Sequence, residues 1–243
     1  LIPLPESLAK ESVGTNVISD LGIVRYEAPL PKVAAEGSIG APSGLYAPKF
    51  DVDSFQRYAA CFAPGEQVVV TEKIHGASAR YVWSEAESKL FVGSRTNWWA
   101  EDETNLWWRA LRRCPAIEGF CRENPGTMLF GEVFGQVQTL KYGAAKDDVF
   151  FAAFAGLKGH DWIDWLDLSR LCRAVHVPLV PHVFSGELDI AKVYEMAEAD
   201  SRWPGANHFA EGVVVVPMKE RVDDRIGRVC LKMVSNRYLE SGK

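Results

Sequence analysis

The run Gln67-Val68-Val69-Val70-Thr71-Glu72 constrains this chain most, because an apolar stretch of strand length that ends in charge must be buried along its length and released at its end. A helical stretch at 53–62 precedes it, opened by Asp53 as a cap and closed before Pro64-Gly65. Strand-like runs recur at 79–83, 89–93, 127–133, 149–154, 212–216 and 228–234. Helical stretches at 104–122, breakable at Pro115, at 162–175 and at 189–199 fall irregularly between them. Strands interrupted by irregularly placed helices predict an α+β fold with mainly antiparallel sheets.

At 243 residues the chain can bury one substantial core, or one core and a tail. Residues 1–48 are rich in Pro, Gly and small side chains and read as a linker, or the tail of a missing N-terminal domain, which leaves 49–243 as the main domain. Leu1-Ile2-Pro3-Leu4-Pro5 has no basic n-region and does not read as a signal peptide; a piece of a longer protein is the simpler expectation. No apolar run is long enough to span a bilayer, so no membrane is expected as a partner. The five cysteines are scattered and form no C-x-x-C pair, which suits idle thiols in a reducing cytoplasm. A net charge of -5 argues against a general nucleic-acid coat but leaves room for a local basic cleft.

The chemistry sits at strand ends. Glu72-Lys73-Ile74-His75-Gly76 follows the apolar run, and a Lys there, with Gly76 letting backbone approach a ligand closely, can project into a cleft. Alone, such a Lys is ordinarily a solvated surface residue. It becomes a nucleophile only when neutral. Glu132 lies between glycines at a second strand end, and Glu211 opens the apolar strand 212–216. A carboxylate so placed must be solvated or paired. Either a basic neighbour or a hydrated Mg²⁺ would satisfy it. Lys232 stands on a closing strand, as a phosphate ligand or as an ordinary outward-facing residue. Trp98, Trp99, Trp107 and Trp108 with Arg109, Arg112 and Arg113 form either an RNA-facing surface or a core stripe beside solvated arginines.

In order along the chain, Lys73-Ile74-His75-Gly76, Ser94-Arg95-Thr96, Phe130-Gly131-Glu132, residues 150–154, Glu211-Gly212-Val213 and Leu231-Lys232 resemble the successive motifs of covalent nucleotidyltransferases. His75 after Lys-Ile resembles the RNA ligase 2-like branch. Residues 46–50 (YAPKF), 130–143 (FGEVFGQVQTLKYG) and 234–239 (VSNRYL) are still more similar to the RNA ligase 5 group, whose members carry an OB domain ahead of the catalytic one. Residues 21–32 (LGIVRYEAPLPK) resemble the join between the two.

The resemblance implies an ATP-dependent RNA ligase of the adenylation-domain fold, a monomer acting on RNA ends or nicked duplex. Lys73 would take AMP from ATP, pass it to an RNA 5'-phosphate, and a 3'-hydroxyl would displace it. Glu72 would meet adenine through its backbone, Gly76 would lie by the nucleotide, and Phe154 would stack on the base. Arg95 would contact ribose or the RNA-end phosphate, and Lys232 the α-phosphate. Glu132 and Glu211 would hold the waters of Mg²⁺ or Mn²⁺, with Glu132 also in reach of the ribose. One departure stands out: Cys230 occupies a place where the family often has Lys. Arg228 shares a strand face with Cys230 and Lys232 by period two, and replaces that cation only if a bulge re-aims it. The competing readings are a degenerate nucleotide- or RNA-binding module, favoured by Cys230 alone, and a capping-type guanylyltransferase or DNA ligase.

Overall fold

A strand whose two faces are both buried must meet a different neighbour on each, and β-strand alternation sorts those neighbours here. The computed structural model describes residues 37–241; the join expected at 21–32, and most of the linker expected at 1–48, lie outside the described residues. In chain order the strands are β1 (Ser38–Ile39), β2 (Asp53–Ser54), β3 (Gln67–Glu72), β4 (Ala77–Ser84), β5 (Lys89–Ser94), β6 (Trp98–Trp99), β7 (Thr127–Gly135), β8 (Val149–Lys158), β9 (Asp161–Trp162), β10 (His182–Glu187), β11 (Gly212–Pro217), β12 (Val222–Asp223), β13 (Gly227–Arg228) and β14 (Leu231–Val234). The helices are α1 (Phe55–Tyr58), α2 (Leu106–Arg113), α3 (Ala116–Glu123), α4 (Trp165–Ala174), α5 (Ile190–Ala197) and α6 (Asn236–Glu240).

A seven-stranded sheet runs β1-β6-β5-β4-β7-β8-β9, and a five-stranded sheet runs β10-β3-β11-β14-β2. All of their pairings are antiparallel except β14 with β2, so the α+β, mainly antiparallel expectation holds. In the five-stranded sheet Val68, Val70, Val213, Val215, Leu231 and Met233 point outward into a core closed by Phe55 and Val193. Thr71, Val214, Val216 and Lys232, one step out of phase, face a cavity instead. A slip of one residue would exchange the two sets, so burying these aliphatics, at about 1.5–3 kcal/mol each, fixes the register of the cavity wall.

The seven-stranded sheet is covered differently on its two faces. Leu111 of α2, Ile117 and Phe120 of α3 and Leu168 of α4 share a core with Tyr81, Leu129 and Phe151. On the opposite face Leu45, Ala47 and Phe50 lie against Phe91, Trp98 and Phe130. Arg80 holds this crossing segment by donating to the carbonyls of Ala47 (3.2 Å) and Pro48 (3.3 Å). Its guanidinium also sits 4.2 Å from the Trp98 ring centre.

Several boundaries differ from the sequence reading. The helix expected over 53–62 is only α1 and a 3₁₀ turn at Ala59–Cys61, because Asp53 and Ser54 pair with Leu231 and Lys232 as β2. The stretch 104–122 breaks at Pro115 into α2 and α3, as expected. The helix expected from 162 starts at Trp165, since Asp161 and Trp162 are taken by β9. Strand β10 and helix α6 had no counterpart in the sequence reading. Among the described residues no helix is long and apolar enough to cross a membrane, and all five cysteines are free.

Candidate active site

Strand β3 delivers Lys73 to the cavity by running one residue past its last pairing. Backbone bonds from Glu72 N to Pro181 O (2.8 Å) and from Lys73 N to Gly212 O (2.9 Å) fix the chain there. Glu72 itself is buried and its carboxylate accepts from Ser201 Oγ (2.6 Å) and Arg202 N (2.7 Å). That carboxyl therefore anchors the loop at 201–202, and only the Glu72 backbone is left for a ligand. Burial raises its pKa, and those two donors offset the rise only in part.

Lys73 Nζ donates to Glu211 Oε1 at 2.6 Å. The other oxygen, Glu211 Oε2, lies 3.3 Å from His75 Nδ1 but is buried without a properly directed hydrogen bond. Burial alone would raise the Glu211 carboxyl; His75 and Lys73 outweigh it and hold the group below the usual carboxylate range. Glu132 behaves in the opposite way. Burial pushes its carboxyl up to about 8 against the pull of Lys73, with Glu211 adding to the rise and the Gly76 N–H opposing it. Two carboxyls beside one ammonium are thus driven apart, Glu211 towards the ionised form and Glu132 towards the protonated one.

The turn after Lys73 is pinned by His75 N donating to Tyr142 Oη at 2.7 Å. Gly76 belongs to this turn and does not line the cavity. A Cβ there would stand 2.2 Å from Val133 O and 3.0 Å from Glu132 Cγ. One close approach that needs glycine is therefore to β7, and it sets Lys73 against Glu132.

Phe154 reaches the cavity through a β-bulge. Phe130 of β7 pairs with Ala155 and Gly131 pairs with Ala153, so Phe154 is the extra residue, turned out of the ladder. Its ring stands 4.7 Å from that of Phe50. Gly131, beside the bulge, leaves room for Phe151 on the other face, whose ring a Cβ there would meet at 2.2 Å. Lys232 projects from β14 opposite Val214. Arg95, just past β5, is ion-paired with Asp51 of the crossing segment. Cys230 is buried, and burial raises its thiol to about 11, so it brings no charge.

The cavity has a volume of about 230 Å³. Glu72, Lys73, Arg95, Glu132, Phe154 and Lys232 all line it, and Glu211 touches it through Lys73. Sequence reasoning missed Phe50, Asp51 and Val52, which close one side, and Trp165 and Val180 on another. Nothing local marks these residues, because long-range packing brings them in. The tryptophan–arginine cluster follows its packing alternative. Trp99 and Trp107 stack at 5.3 Å, Trp107 and Trp108 bond to backbone carbonyls, and Arg109, Arg112 and Arg113 each have an intramolecular partner.

A divalent ion fits the donor set. Glu211 Oε2 is a buried oxygen lacking a hydrogen-bond partner, and Glu132 brings a second carboxyl. Among the described residues no three His, Cys, Asp or Glu side chains converge as a metal cage.

The family model described as RNA ligase matches residues 66–234. Solved structures of a Naegleria gruberi RNA ligase are similar over nearly the whole chain. With PPi, that ligase is 26% identical, with a TM-score of 0.68, over 97% of this chain and 69% of its own. A lysine-to-alanine variant with ATP and Mn gives 25% identity and a TM-score of 0.71 over 97% of this chain and 70% of that one. A lysine-to-methionine variant with AMP and Mn gives 25% and 0.68 over the same shares, 97% and 70%. A search of curated proteins finds no match.

Proposed function

Since the chain belongs to the RNA ligase family, we propose that it joins RNA strands with ATP, and that Lys73 carries the AMP. The observation that carries this reading is Lys73 Nζ in the cavity, 2.6 Å from Glu211 Oε1, with Glu132, Lys232, Arg95 and Phe154 on the surrounding walls. The Naegleria structures with ATP and Mn, with AMP and Mn and with PPi support ATP and a divalent ion as what this cavity takes.

In this reading the neutral Lys73 amine attacks the α-phosphorus of ATP. The P–N bond forms, the P–O bond to the β-phosphate breaks, and pyrophosphate leaves. The amine must lose a proton first, and Glu211 Oε1 is the acceptor in reach. Phe154 packs on the purine, and Val214 and Val216 wall its other side. Lys232 neutralises charge on the α-phosphate and Arg95 receives the RNA-end phosphate or ribose. Glu132 and Glu211 would hold the waters of Mg²⁺ or Mn²⁺, which supplies further neutralisation of phosphate charge. AMP then passes to an RNA 5'-phosphate, and a 3'-hydroxyl displaces it to close the strand. The same reading makes the enzyme a cytoplasmic monomer of the RNA ligase 5 group. Residues 1–48 would lead to an OB-like domain that grips duplex.

The test is sealing of RNA carrying a 5'-phosphate and a 3'-hydroxyl, with ATP and Mn²⁺. Wild type should give adenylated and sealed RNA, and Lys73→Ala neither. The same variant should still join RNA that is already 5'-adenylated. Sealing from ATP by Lys73→Ala would overturn the assignment. Failure of wild type on both substrates would favour the binding module that Cys230 suggests.

A further inference from the structure

Among the described residues Arg228 combines burial, rigid support and a free donor in a way the reading above does not use. Its Nε and Nη2 donate to Glu220 Oε2 (2.8 Å) and Oε1 (2.5 Å), a two-pronged pair that fixes the guanidinium plane. Its Cζ lies 3.9 Å from the centre of the Trp162 ring and 5.1 Å from that of Phe50. The side chain is only 11% exposed, yet Nη1 is buried with no hydrogen-bond partner. Arg228 lines the same cavity as Lys73 and Lys232, with Cys230 between it and Lys232 on one face of the chain. An unpaired buried N–H₂ of a charged group costs free energy unless an acceptor arrives, and Arg228 is one of the residues that line the cavity. Holding it there by Glu220, Trp162 and Phe50 costs a ligand little reordering.

We propose that Arg228 is a phosphate-binding residue, and that its Nη1 receives the terminal phosphates of the triphosphate and the pyrophosphate that leaves. Two features favour phosphate over base. Arg228, on β13 just ahead of β14, lines the cavity together with Lys232, whereas the aliphatic wall suited to a purine is Val214 and Val216 on β11. Cys230, a neutral thiol, leaves the Lys232 side of the cavity without a second cation unless Arg228 supplies it. In this arrangement Arg228 meets the β- and γ-phosphates while Lys232 meets the α-phosphate. No bulge within one strand is needed: Arg228 stands on β13, which pairs with β12 apart from the sheet of β14, and Arg228, Cys230 and Lys232 all line the cavity.

This inference rests on the ligase reading, and the test separates the two. Calorimetric titration of Mn-pyrophosphate into nucleotide-free protein reads the site directly, and the reversal of Lys73 adenylation by pyrophosphate reads it functionally. In reversal the P–N bond breaks, a P–O bond re-forms as ATP, and the amine regains its proton. Arg228→Gln should weaken pyrophosphate binding about tenfold and raise the pyrophosphate needed for half-reversal by a similar factor. Arg228→Lys should fall between the two. The double variant Arg228→Gln/Cys230→Lys should recover most of the loss, because it returns a cation to the same face. If Arg228→Gln unfolds, Arg228→Gln/Glu220→Gln removes both buried charges and should show the same tenfold loss. Wild-type pyrophosphate affinity in Arg228→Gln, or no rescue by Cys230→Lys, overturns the proposal. Absence of adenylation in wild type would instead overturn the ligase reading.

Discussion

The two walls of the cavity are built on different physical terms. The five-stranded wall gives Lys73 and Lys232 from β-strands whose opposite faces are locked in an aliphatic core, so its chemical groups follow from alternation alone. The seven-stranded wall gives Glu132, Phe154 and Arg95 through exceptions to alternation: a bulge, two glycines crowded by neighbours, and a crossing segment that covers half the face. The first wall positions charge on a rigid, repetitive frame. The second positions a carboxyl, a guanidinium and an aromatic ring, and depends on contacts between distant parts of the chain. Substitutions on the first should therefore remove chemistry while sparing the fold, and those on the second should disturb both.

The largest effect that would sharpen this contrast is on Lys73. Lys73→Ala should lower adenylation by roughly a thousandfold or more, with little change in the urea midpoint, since no other side chain can take the AMP. On the other wall, Gly76→Ala would force a Cβ to within 2.2 Å of Val133 O. Its backbone must move, so both stability and adenylation should fall, the former by about 1–3 kcal/mol in urea unfolding. Unchanged stability in that variant would break the comparison. Phe154→Ala should raise the ATP concentration for half-maximal adenylation about tenfold, as expected when an aromatic platform worth about 1–3 kcal/mol is lost.

A smaller effect should appear as pH dependence. The Glu132 carboxyl is raised to about 8 in the folded protein, against roughly 4.3 in an unfolded chain. The folded state then holds its proton more tightly. Its contribution to stability is complete below about pH 4 and is lost as pH rises through 8. Ligand-free protein should therefore melt at lower temperature at pH 8 than at pH 5, and Glu132→Gln should flatten that slope. A Glu132→Gln slope as steep as that of wild type would contradict the assignment. The smallest change is expected for Asp51→Ala, whose ion pair with Arg95 is largely exposed and worth about 0–1 kcal/mol at most.

The same contrast explains what was legible in the sequence. Lys73 and Glu211 could be picked out because each ends or flanks an apolar run, and Lys232 because it stands on a closing strand of alternating character. Phe154 was nameable only through the resemblance to nucleotidyltransferases, since a one-residue bulge leaves no mark on local periodicity. Gly76 reads as a residue for ligand approach, and its second reason for being glycine, the packing of β7 beneath it, leaves no mark on the sequence. Phe50 and Asp51 sit more than twenty residues from Lys73, and their place over the seven-stranded sheet is set by Arg80 and a cluster of aromatic rings that no short window contains. β2 escaped notice for a similar reason: Asp53 reads as a helix cap until β14 is there to pair with it.

The most direct test of the central claim is the intact mass of the protein after stripping with pyrophosphate and incubation with ATP and Mn²⁺, beside Lys73→Ala. A gain of one AMP in wild type, mapped by peptide analysis to Lys73 and lost in the variant, is the predicted result. No adduct in wild type, or an adduct that persists in Lys73→Ala, would contradict it.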